Sequence, residues 1–116
     1  RSLAGKVDVI YTNTDNNVVS AYEALVKVAN DVRIPLIAAD TDSVKRGGIA
    51  ALGINYRDLG VQTGKVVVRI LKGEKPGAIP SETINKLELY VNPGAAAKQG
   101  VTLSDAVIKS AAVVVK

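Results

Sequence analysis

The run Val7-Asp8-Val9-Ile10-Tyr11-Thr12-Asn13-Thr14-Asp15-Asn16-Asn17 restricts the fold more than any other part of the chain. A short β-branched strand enters a cluster of small polar residues, and an amphipathic helix starts at once. A strand followed directly by a helix is half of a crossover unit, and such units build parallel sheets. Parallel strands covered by helices are aliphatic rather than aromatic. The composition fits: 47% of residues are apolar, with four Tyr and no Phe or Trp. In open parallel sheets, ligands bind outside the carboxyl ends of the strands. Polar loops of the same kind recur at Ala38-Ala39-Asp40-Thr41-Asp42-Ser43 and Gly53-Ile54-Asn55-Tyr56, which points to a small-molecule site on that edge.

The rest of the chain continues the alternation. A strand is expected over 7–12 and a helix from Asn16 or Asn17 to about Asp31. The helix stripe is Val18, Tyr22, Leu25, Val26 and Ala29, which share one face at helical spacing. Ile34 to Ala39 reads as a second strand, with Pro35 tolerated only at its start. Ile49 to Ile54 reads as a third. A second long helix runs from Tyr56 or Arg57 to Leu71, with Leu59, Thr63, Val66, Val67, Ile70 and Leu71 as its stripe and Gly73 as its stop. Lys86 to Val91 alternates as a fourth strand. Asn92 caps a short helix with Pro93 at its first position, and Gly100 closes it. Thr102 or Ser104 caps a last helix that ends in Ala111–Val115. The order is β-α-β-β-α-β-α-α: an α/β sheet, largely parallel. Arg1 to Gly5 reads as the final turn of a helix, so the chain is expected to start mid-fold. The apolar tail is expected to need a partner, and the chain to self-associate as a homodimer.

Composition excludes several functions. The chain has no Cys, His or Met. A thiol nucleophile and a Ser-His-Asp triad are therefore impossible, and a structural zinc site would lack its usual Cys and His ligands. No metal, cofactor or catalytic residue is expected. The net charge is +4, but its cations are scattered and few aromatics accompany them, so nucleic acid is not the expected partner. No apolar stretch approaches the ~20 residues that span a bilayer. Arg1 to Gly5 lacks the long apolar segment of a signal peptide and is not expected to be one.

The candidate site residues lie in the three loops. Asp15, Thr12 and Thr14 follow the first strand; Asp15 also suits an N-cap. Asp40 follows the second. With Asp42 it forms Asp-x-Asp, readable as a Mg²⁺ pair of a flavodoxin-like phosphotransfer domain, as a ligand-facing loop, or as a solvated turn capped by Thr41 and Ser43. Asn55 and Tyr56 end the third strand. Asn55 is equally placed to cap the next helix, and Tyr56 to stack on an aromatic ligand or to cover the helix start.

These segments resemble the second lobe of bacterial ABC-transporter substrate-binding proteins of the tryptophan/tyrosine-binding type. The similarity runs through Val7 to Ala21, Ile34 to Thr41, Ala50 to Tyr56, Leu71 to Pro76 and Leu87 to Pro93, in order. It implies the fold of a type I periplasmic binding protein: three layers, a largely parallel sheet with helices on both faces. On this reading residues 1–116 are one incomplete lobe, roughly a half to a third of the family length. The resemblance implies a solute-binding component of an ABC importer, outside the cytoplasm, that serves a permease and its ATPase. It also implies an amino-acid-like, aromatic ligand held by closure of two lobes. Asp15 takes the position of an acid that meets the ligand, and Asn55 that of a ligand-contacting polar residue. An effector-sensing lobe of a transcription regulator shares the fold and stays open as an alternative.

Overall fold

Five short aliphatic runs pair into one sheet in the order β1-β2-β3-β4-β5. They are β1 Ile10–Thr12, β2 Leu36–Ala38, β3 Ala50–Ile54, β4 Leu87–Val91 and β5 Val113–Val114. The computed structural model describes residues 1–84 and 86–116. β1 and β2, β2 and β3, and β4 and β5 pair in parallel. The helices are α1 Asn16–Ser20, α2 Tyr22–Val32, α3 Thr41–Lys45, α4 Tyr56–Leu71, α5 Pro93–Lys98 and α6 Asp105–Ser110, with a 3-10 turn at Pro76–Ala78. The chain divides into two compact units: Arg1–Gly53 with Glu88–Lys116, and Ile54–Leu87. Among the described residues no helix is long and apolar enough to cross a membrane.

Alternation along β2 and β3 decides what each face of the first unit covers. Leu36, Ala38 and Ala51 pack with Tyr22 and Ala29 of α2 and Val44 of α3. Ile37 and Ala50 point the other way, where they pack with Ile49 and with Ala95 and Ala96 of α5. Helices therefore lie on both faces, as expected of an α/β fold of this type. Tyr22, Leu36, Val44 and Val91 are fully buried. Each such burial is worth about 1.5–3 kcal/mol relative to exposure.

Three local expectations change. The first helix is not continuous. Ser20 Oγ donates to the Asn17 carbonyl at 2.9 Å, and Ala21 leaves helical geometry at φ −111°. A hydroxyl bonded back into its own helix competes with the backbone ladder and bends it. The turn after β2 is itself a helix, α3, because Asp40 caps it. The tail is a strand, not a helix end. α6 closes at Ala111, and the amides of Ala112 and Val115 donate to Leu89 and Val91 of β4, each at 2.8 Å. Three consecutive β-branched valines favour that outcome. The tail thus has a partner within its own chain, and the argument for a homodimer from an unpartnered tail falls.

α2 ends on Arg33, whose φ of +53° makes it the only non-glycine residue with positive φ among those described. Ile34 N still reaches the Ala29 carbonyl at 3.0 Å, closing the helix in the usual left-handed way. Left-handed geometry costs an ordinary residue roughly 1 kcal/mol that glycine does not lose. Arg33→Gly is therefore expected to raise stability by about 1 kcal/mol in urea unfolding. An unchanged or lowered midpoint would show that the arginine stem contributes more than its backbone strain removes.

The second unit is a helix and the strap that follows it. Arg69 holds the strap, bonding Glu74 through Nε at 2.7 Å and Nη2 at 2.6 Å, with Glu82 at 3.5 Å. Gln62 Nε2 donates to Glu82 at 3.0 Å. The Arg69 guanidinium holds the Glu74 carboxyl below the usual carboxylate range. No residue of α4 is buried, and Leu71 is 80% exposed, so the expected apolar stripe of this helix is only half used within its unit.

Candidate functional site

The carboxyl ends of β1 and β2 lie side by side. Thr12 pairs with Ala38, and Ala39 N donates to the Thr12 carbonyl at 3.0 Å. This register brings the loops 13–15 and 39–41 together. Asp15 caps α1 with one oxygen: Oδ1 accepts from Asn17 N at 2.9 Å and from Val18 N at 3.2 Å. Its Oδ2 accepts no hydrogen bond among the described residues, and the residue is exposed. Capping and ligand contact, competing interpretations at the level of sequence, are compatible in this geometry. A carboxylate fixed by two amides keeps a second oxygen for a cation such as an ammonium group.

The neighbours behave differently. Thr14 is exposed in the same loop. Thr12 is buried, and its hydroxyl donates to the Ile37 carbonyl at 3.2 Å. As placed here, Thr12 joins the two strands instead of presenting a donor outward. Asp40 spends both oxygens on one residue: Oδ1 accepts from Ser43 N and Oδ2 from Ser43 Oγ, each at 2.8 Å. Asp42 pairs with Lys45 at 3.0 Å. The two acids therefore do not converge, and no group of three or more metal-ligating side chains forms among the described residues. The Mg²⁺ alternative has no support in this arrangement.

Close approach of β3 sets the shape of the second loop. A Cβ on Gly53 would stand 2.9 Å from Thr41 Cγ2 and 3.3 Å from Thr41 N. Only glycine lets the loop lie this low on the strand. Below it, Tyr22 is 1% exposed and its hydroxyl has no hydrogen-bond partner among the described residues. A Cβ on Gly48 would meet that hydroxyl at 2.9 Å, so glycine is required there too. Burial pushes the Tyr22 pKa above the ordinary phenol value.

Asn55 and Tyr56 belong to the second unit. Asn55 Oδ1 caps α4, accepting from Arg57 N at 3.0 Å and Asp58 N at 3.3 Å. Tyr56 is 55% exposed at the first position of that helix.

One residue that fixes the amino ends of β2 and β3, opposite the candidate edge, had no signal in the sequence. Gln99 is 1% exposed. Its Oε1 accepts from Leu36 N at 2.8 Å, and its Nε2 donates to Gly47 O at 2.9 Å and to Asn30 Oδ1 at 3.1 Å. A single side chain thus ties α2, β2, α5 and the entry to β3.

Comparison with known proteins places this fold and its polar edge in a family. Residues 1–115 match the family model of ABC transporter substrate binding proteins, and the chain belongs to that family. A curated relative, the tyrosine-binding protein of Clostridioides difficile, is 42% identical over 91 residues, covering 78% of this chain and 26% of the relative. A conserved domain protein from Vibrio cholerae superimposes with a TM-score of 0.87 at 39% identity, covering 97% of this chain and 38% of that one. The ABC domain of a Streptococcus pneumonia protein, solved in complex with L-Trp, gives 0.86 at 32% identity, covering 98% and 39%. The chain thus spans only about a quarter to two-fifths of these proteins.

Proposed function

We infer that this chain is one lobe of a non-catalytic, extracytoplasmic solute-binding protein. It captures an amino-acid-like ligand, aromatic by preference, and delivers it to an ABC permease and its ATPase. The observation that carries the reading is the divided carboxylate of Asp15. One oxygen is locked by the amides of α1 and the other is free on the exposed carboxyl edge of the sheet. That is a preorganised acceptor for an α-ammonium group. Thr14 and Asp40 border the same edge, and Asn55 and Tyr56 supply a second set of candidates. Support for an aromatic side chain comes from the relatives: one is named for tyrosine, and another was solved with L-Trp. The ligand would be held fully only when two lobes close on it, so binding shifts the population towards the closed state.

Calorimetry tests this with the intact protein that carries the chain. Tryptophan, tyrosine and phenylalanine are titrated against glycine as control. Saturable binding of an aromatic amino acid is expected, with glycine at least tenfold weaker. The chain alone should bind far more weakly, because it encloses only part of the ligand. An intact protein that ignores all three aromatic amino acids would refute the reading.

A further inference from the structure

The ends of the strands opposite Asp15 carry a second feature. A cavity of about 320 Å³ opens there in the first unit, beside Gly47 at the entry to β3 and Asn92 at the exit of β4. Four cationic residues line it, Lys45, Arg46, Lys98 and Lys116, and no Asp or Glu among the described residues does. We propose that this cavity is a binding site for a phosphate group.

Arg46 supplies the preorganised element. Its Nε and Nη2 bond Glu23 at 2.6 and 2.7 Å, which uses one edge of the guanidinium. Its plane is held 5.5 Å from the centre of the Tyr22 ring. The Nη1 edge donates to nothing among the described residues. A guanidinium fixed along one edge keeps a two-pronged donor on the next, the geometry that a tetrahedral oxyanion accepts. The Arg46 guanidinium also draws the Glu23 carboxyl down to about 2, so Glu23 holds it at all physiological pH values.

Charge favours an anion. Lys45 is matched by Asp42 at 3.0 Å, and Arg46 by Glu23. Lys98 has no ion pair among the described residues, which leaves an uncompensated positive charge on a concave wall. Concavity focuses such a field. A phosphate group carries about −1.5 to −2 charges at pH 7 and three acceptor oxygens. A carboxylate brings one charge and fewer acceptors. The site is independent of the amino-acid reading, since it uses none of the residues on the carboxyl edge.

Inorganic phosphate is the first probe, titrated into ¹⁵N-labelled chain at fixed ionic strength set with sodium chloride. Saturating amide shifts at Gly47, Gly94 and Ala95 are expected. Lys98→Glu should weaken the affinity at least tenfold and leave the other resonances in place, because Lys98 bonds to nothing that the fold needs. A second arm uses phosphatidic acid vesicles, whose headgroup is a phosphomonoester, against phosphatidylcholine vesicles. Co-sedimentation with the former alone, lost in Lys98→Glu, assigns the phosphate to a lipid headgroup. Phosphate shifts without co-sedimentation assign it to a free phosphate compound. Shifts that never saturate, or that persist unchanged in Lys98→Glu, overturn the proposal.

Discussion

Replacing Gln99 by Leu is expected to lower stability by about 4 kcal/mol, roughly 15 °C in melting temperature. The substitution keeps volume and adds apolar surface, so a packing argument alone predicts little change. Hydrogen bonding predicts otherwise. Leu36 N and Gly47 O would both lose the partner they have in Gln99. Leu36 N is buried and Gly47 O half-buried, and a backbone group left unpaired away from water costs about 1–3 kcal/mol. Gln99→Glu is the sharper control. It keeps an acceptor for Leu36 but turns an oxygen towards the Gly47 carbonyl and Asn30 Oδ1. It should be at least as damaging at pH 7. Urea unfolding of the three proteins decides the matter. A Leu variant within 1 kcal/mol of the parent would show that water replaces the amide freely.

Asp15→Asn should separate the two duties of that side chain. An asparagine oxygen caps a helix about as well as an aspartate oxygen, so stability should change by less than about 0.5 kcal/mol. The charge that faces the ligand is lost. For an ammonium group enclosed in a closed site, that is worth about 3 kcal/mol, or a hundredfold in affinity. Asp15→Ala should lose the cap as well, at about 1 kcal/mol of stability. Calorimetry with tryptophan on the intact protein, paired with thermal melts, reads both effects. An Asn variant that binds as tightly as the parent would move the ammonium partner elsewhere.

Much of the architecture was legible because it rests on periodicity. The strands at Ile10, Leu36, Ala50 and Leu87 and the helix from Tyr56 to Leu71 follow from aliphatic runs and spacing. The caps at Asn55, Asn92 and Ser104 follow from residue type. What escaped was short or non-local. Five residues from Thr41 to Lys45 are too few to show a helical period, and Asp40 was read as part of a loop and not as the cap it is. The Ala-Val tail carries no alternation, and its pairing depends on β4, more than twenty residues earlier in sequence. At the site, residue type identified Asp15 and Asn55 as polar residues at helix starts and Asp40 as one in a polar loop. It could not assign Asp40 both oxygens to Ser43, nor turn the Thr12 hydroxyl inward. Gln99 was invisible, since a polar residue at the end of an alanine-rich helix reads as solvent-facing.

The strand order also sets a sequence of assembly. β2 and β3 are neighbours joined by a short connection, residues 39–49 with α3, whereas the longer segment 13–35 with α1 and α2 joins β1 to β2. β4 can join β3 only after the segment 54–87 has been closed into a loop, and Asn92 N then reaches the Ile49 carbonyl at 2.9 Å. For a flexible loop of some thirty residues the entropy of closure is about 3 kcal/mol. Local pairings form before distant ones when closure opposes the latter. The amides of β2 should therefore gain protection early in pulsed hydrogen exchange, and those of β4 and β5 together and later. Simultaneous protection of all five strands would contradict this order. Otherwise the last part of the sheet to form is the part that holds the tail.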